Sequence, residues 1–133
     1  MVVLVVEDEA IIGLMLALEL RIAGYRVSGP ASTVQAALEL AAGDPPDIAF
    51  VDINLEGQEE GLNLARALRD QHGTTCIFVT AWPVVASTAK DAAIGVIEKP
   101  YLSLTVVQAA AYAAAVRAGT QLPSPPLGLA LLQ

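Results

Sequence analysis

The chain has 133 residues, 55% of them hydrophobic and 16% charged, which is enough for one compact domain with a full core and too few for two ordinary ones. Its 14 acidic residues against 7 basic ones give a net charge of -7 without any Lys/Arg cluster, and this excludes a sequence-independent grip on nucleic acid. The single cysteine excludes an internal disulfide and fits a reducing, cytoplasmic setting, while no signal peptide and no apolar run of roughly 18 residues points to a membrane.

Residues Val2 to Val6, VVLVV, form a short β-branched run of the kind found in strands covered on both faces. Glu9 to Ala23 then shows helical spacing and ends at Gly24. The alternation recurs: Arg26 to Gly29 then Val34 to Ala42, Asp47 to Val51 then Gly61 to Gln71, Cys76 to Val79 then about Val84 to Ala92, and Ile94 to Ile97 then Ser103 to Ala118. Five strand-helix units with short connections predict an α/β fold: a five-stranded parallel sheet, doubly wound, in the order 2-1-3-4-5. The stretch VVASTAKDAA predicts only a short or irregular fourth helix. Residues 1–118 are therefore expected to form the domain, and 119–133 a Pro-rich, then apolar tail that packs on its own domain or on a neighbouring chain.

In such a sheet, ligands bind beyond the carboxyl ends of the strands, at the switch point between strands 1 and 3. Glu7, Asp8 and Glu9 follow strand 1 and Asp52 ends strand 3, so acids distant in sequence converge. Two like charges about 5 Å apart repel by about 3 kcal/mol at an effective dielectric near 20, so the cluster calls for a cation or a raised pKa. All-oxygen donors without His or Cys suit a hard ion, and Mg²⁺ commonly takes one or two carboxylates, waters and a phosphate oxygen. Strand 4 ends at Thr80 and strand 5 is followed by Lys99, which adds a hydroxyl and an ammonium to the same rim. Asp52 is then placed to act as a nucleophile toward a phosphoryl donor, with Lys99 and Thr80 binding the transferred oxygens.

EDE after strand 1, VDINL at strand 3, VTA at strand 4 and EKPY after strand 5 together resemble the receiver domain of bacterial two-component response regulators, the CheY-like fold, over residues 1–118. The resemblance implies that Asp52 accepts phosphate from a histidine kinase, and that Asp8, Asp52 and the Asn54 carbonyl ligate Mg²⁺ with Glu7 assisting through water. It implies further that Thr80 swings toward the phosphoryl group, that Lys99 pairs with it, and that the Lys99-Pro100 peptide is cis. Such a domain is a phosphoacceptor that catalyses only its own phosphorylation and dephosphorylation, not an enzyme acting on other substrates.

The departures are local. Val96 stands where the family usually carries an aromatic residue, the connection from Thr80 to Lys99 is short, and LEGQEEG has Glu56 where proline is common. FVTAWP with EKPY is similar to stand-alone receivers that partner with HWE or HisKA2-type kinases. Trp82 either shields the phosphoryl group or packs on the fourth helix, the second being preferred, and Cys76 is read as core and His72 as surface. EDEA would repel the phosphate of a flavodoxin-type cofactor, and Asn54 lacks the acid that an aspartate-based phosphohydrolase needs two residues after its nucleophile. The rival reading is a phosphorylation-independent receiver-like scaffold. Output passes through an unknown downstream protein or a phosphotransferase, as target binding, relay or phosphate drain. The last helix, with Val106, Val107, Ala110 and Ala114, offers a face for a homodimer or another partner beyond its core side.

Overall fold

The structure, a computed structural model, describes residues 1–132. Its elements are β1 (Val2–Val6), α1 (Ala10–Ile22), β2 (Arg26–Ala31), α2 (Val34–Gly43), β3 (Ile48–Asp52), α3 (Glu60–His72), β4 (Thr75–Thr80), a 3₁₀ helix (Pro83–Ala89), β5 (Gly95–Glu98), α4 (Ser103–Ala118) and β6 (Leu129–Leu131). One sheet runs in the order β2-β1-β3-β4-β5-β6. The first five strands are parallel, as the strand-helix alternation requires.

Strand side chains alternate between two cores because successive Cβ atoms point to opposite faces. Val3, Val5, Phe50, Ile77 and Ile97 meet Leu16, Ala17 and Leu20 of α1 and Val106, Ala109 and Ala110 of α4. On the other face Leu4, Val51, Cys76 and Phe78 meet α2, α3 and the 3₁₀ helix through Ala37, Ala41, Leu64, Leu68, Ala86 and Ala89. The half of α4 that carries Val106 and Ala110 is thus core and not an open partner surface. Thr33 caps α2 by accepting a hydrogen bond from the Ala36 N–H at 3.0 Å, and Gly73 ends α3 in the left-handed conformation.

The fourth helical connection is a tight seven-residue 3₁₀ helix. Pro83 opens it, and the hydroxyls of Ser87 and Thr88 donate to the carbonyls of Val84 and Val85 at 2.7 and 2.8 Å, three residues back. Such local bonds compete with an α-helical ladder.

The expectation of five strands is corrected by β6, which pairs antiparallel with β5 and places Leu129, Ala130 and Leu131 opposite Ile97, Val96 and Gly95. Glycines make the room. A Cβ on Gly95 would lie 2.7 Å from Leu129 Cδ1, and Gly128, at φ +97°, brings its backbone to within 2.9 Å of Thr105 Cγ2. Leu132 N–H donates to the Ile94 carbonyl at 3.0 Å, and Thr105 Oγ1 donates to that of Leu127 at 3.3 Å. The prolines end α4's continuation without preventing the chain from returning as an edge strand. Of the tail, residue 133 lies outside the described residues.

Candidate functional site

Parallel pairing aligns the carboxyl ends of the strands. The register sets Val6 beside Val51, Asp52 beside Val79 and Thr80 beside Glu98, so the residues that follow β1, β3, β4 and β5 share one rim. The Glu7 N–H donates to the Ala31 carbonyl at 2.9 Å, and the Glu9 N–H donates to the Glu7 carboxylate at 3.2 Å. Gly61, at the start of α3, lies against the backbone of Asp52 and Ile53; a Cβ there would sit 2.6 Å from Ile53 Cα. That contact fixes the strand end from which Asp52 projects.

Carboxylate oxygens of Glu7, Asp8 and Asp52 lie within 4.8 Å of one another, with Glu7 and Asp52 buried and Asp8 exposed. Lys99 Nζ reaches Glu7 Oε1 at 2.6 Å and Asp52 Oδ2 at 3.1 Å, with Glu9 Oε1 farther off at 3.6 Å. Asp52 Oδ1 accepts the Asn54 N–H at 3.1 Å. Burial, then the hydrogen bond with Asp52, pushes the Glu7 carboxyl above its usual range, and the close Lys99 ammonium opposes this without reversing it. For Lys99, burial pulls the pKa down, but the Glu7 hydrogen bond and the charges of Asp52 and Glu7 hold it above the usual range. One ammonium serves three acids. A second cation fits the remaining negative charge, and the donors are hard oxygens suited to a divalent ion.

A pocket of about 290 Å³ is lined by Asp8, Asp52, Asn54 and Lys99, together with Glu9, Gly57, Ala81 and Trp82. Thr80 lies behind this lining, fully buried, and its hydroxyl accepts the Trp82 N–H at 3.1 Å. Glu7 is also set back and reaches the pocket through Lys99. Trp82 is 65% exposed, which corrects the preference for packing on the fourth helix: its ring stands at the pocket mouth. Gly57 was not among the residues read from sequence, although its place in LEGQEEG, with φ +76°, marks the turn that brings the loop over Asp52. The Lys99-Pro100 peptide is cis, as is Gly29-Pro30.

The Response regulator receiver domain family matches residues 3–111. The chain belongs to that family. Transcriptional regulatory protein PdtaR of Mycobacterium tuberculosis is 32% identical over 102 residues, covering 74% of this chain and 49% of PdtaR, so the chain spans about half the length of that relative. The receiver domain of NtrX from Brucella abortus superposes with a TM-score of 0.76 at 28% identity, covering 84% of this chain and 96% of that one. A response regulator protein from Burkholderia pseudomallei, whose crystal structure holds a phosphorylated aspartic acid, a calcium ion and citrate, superposes with a TM-score of 0.71 at 26% identity, covering 89% of this chain and 71% of that one.

Receiver domains are phosphorylated by histidine kinases and bind a divalent metal at an acidic pocket, and in this receiver the acidic pocket is the Glu7, Asp8 and Asp52 cluster. Among its described residues no helix is long and apolar enough to cross a membrane.

Proposed function

We propose that this receiver accepts a phosphoryl group on Asp52 from a histidine kinase of the HWE or HisKA2 type in the cytoplasm, and that the acyl phosphate switches a protein-protein contact or is passed onward in a relay. A carboxylate oxygen of Asp52 attacks phosphorus, the bond from phosphorus to the kinase imidazole breaks, and its electron pair leaves on the imidazole nitrogen, which takes a proton from solvent. Asp8, Asp52 and the Asn54 carbonyl would hold Mg²⁺, with Glu7 assisting through water. Bound there, the ion offsets charge on donor and acceptor. Lys99, already 3.1 Å from Asp52, binds an oxygen of the transferred group, and the Asn54 N–H holds the other Asp52 oxygen in place. Thr80 can serve as a phosphoryl ligand only by exchanging its bond to the Trp82 N–H for the new oxygen. The chain acts on no other substrate.

The observation that carries this reading is the convergence of Lys99 with Glu7 and Asp52 in an acidic pocket of a receiver-family chain. The kinase class rests on FVTAWP, EKPY and the 3₁₀ helix between them.

The test is incubation with acetyl phosphate and Mg²⁺ followed by intact mass. The wild type gains one phosphoryl group and Asp52→Ala gains none. No gain by a folded wild-type chain with Mg²⁺ bound, with its kinase also present, would instead favour a scaffold that works without phosphate.

A further inference from the structure

α1 is apolar on every side, although only one side is buried. Gly13, Leu16, Ala17 and Leu20 face the core, yet Ile11, Leu14, Met15, Leu18 and Ile22 are 74%, 59%, 57%, 55% and 73% exposed. A helix that is hydrophobic all round is ordinarily buried all round. Ile11, Met15, Leu18 and Ile22 follow one another at spacings of four, three and four residues, the seam of a paired helix, with Leu14 on its flank. The chain's own tail does not cover this seam. It ends in β6, at the opposite edge of the sheet from β1 and β2, against which α1 lies.

The charges select the occupant. Asp8 and Glu9 stand at the amino end of the helix, and Arg21 and Arg26 at or just past its carboxyl end. An antiparallel copy of the same helix sets acids beside arginines at both ends and opposes the two helix dipoles, whereas a parallel copy sets like beside like. A lipid surface is disfavoured, because a helix lying on anionic headgroups needs Lys and Arg along its polar face and this chain carries -7. We infer that α1 is the interface of a twofold homodimer, formed by antiparallel pairing of the Ile11, Met15, Leu18 and Ile22 seam with its copy.

In that pairing, Ile11 opposes Ile22 of the other copy and Met15 opposes Leu18. The seam runs beside the phosphoacceptor rim, because Met15 also lines a cleft of about 490 Å³ with Lys99, Pro100 and Tyr101. Dimerisation therefore controls access to that cleft. The inference stands on the exposed helix alone and does not depend on phosphorylation.

The experiment is sedimentation velocity on the full chain from about 1 µM to about 1 mM, for the wild type and for Leu18→Glu. The wild type should be dimeric within that range, and Leu18→Glu should raise the dissociation constant by at least ~100-fold, because the dimer buries the new charge twice. Leu18 is more than half exposed, so the variant should keep the wild-type urea midpoint. Pair geometry is read by oxidation: a mixture of Ile11→Cys and Ile22→Cys chains should form a heterodimeric disulfide, while Ile11→Cys alone should not link to itself. A wild type that stays monomeric, or a Leu18→Glu dimer as tight as wild type, overturns the inference, as does self-linking of Ile11→Cys.

Discussion

Glu7 is a carboxylate at 3% exposure whose one close cation, Lys99, is shared with Asp52. Its folded pKa lies above the 4.5 of a free glutamate, so the native state binds this proton more tightly than the unfolded chain does. The stability linked to Glu7 is therefore fully present below about pH 4.5 and is lost as pH rises through the raised value. A neutral amide keeps the shape and can still accept from Lys99. In EDTA, Glu7→Gln should thus have a higher urea midpoint than the wild type at about pH 7.5, and the two should converge near pH 4. Mg²⁺ should close the gap at high pH by stabilising the ionised carboxylate of the wild type. Midpoints that differ by the same amount at both pH values would show that the Glu7 charge is not what burial penalises.

At the scale of elements, β6 is where sequence and structure part. The five parallel strands and their helices were legible because each is a β-branched run or a 3.6-residue repeat bounded by Gly or Pro, and the order 2-1-3-4-5 follows from right-handed crossovers. The site was legible for the same reason: Asp8, Asp52 and Lys99 are placed by strand ends, which the pattern marks. An edge strand of three residues after three prolines carries no periodic signal, and its docking depends on notches at Gly95 and Gly128 that only the assembled sheet reveals. The exposure of Trp82 was hidden likewise, since a tight 3₁₀ helix offers less surface to pack on than the α-helix assumed. If β6 is integral, Leu129→Ala, at a position 7% exposed, should lower unfolding free energy by about 1.5–3 kcal/mol in urea titration. A change under about 0.5 kcal/mol would mean the strand is only laid on the surface.

Across the whole molecule the charges are sorted between the two ends of the sheet. Near the amino ends of the strands, acids meet arginines: Arg26 with Asp44 at 2.8 Å, Arg69 with Asp91 at 3.0 Å and Arg117 with Asp47 at 3.5 Å. Asp91 is held down to about 2 by hydrogen bonds from Arg66 and Arg69. Near the carboxyl ends stand Glu7, Asp8, Glu9, Asp52, Glu56, Glu59, Glu60 and Glu98, and of the seven basic residues only Lys99 follows a strand's carboxyl end. The net charge of -7 is therefore a dipolar field that draws cations toward the pocket. Glu56 and Glu59 are exposed and are not among the residues lining the pocket, so they can act on a bound ion only through that field. Substituting both by Gln should weaken Mg²⁺ binding about 2- to 5-fold at low ionic strength, read from Trp82 fluorescence at the pocket mouth. At about 0.5 M NaCl, where the Debye length falls to about 4 Å, the variant and the wild type should bind alike. A deficit that persists in high salt would mean that these glutamates hold the loop's shape instead, and the Gly57 turn over Asp52 would become the place to look.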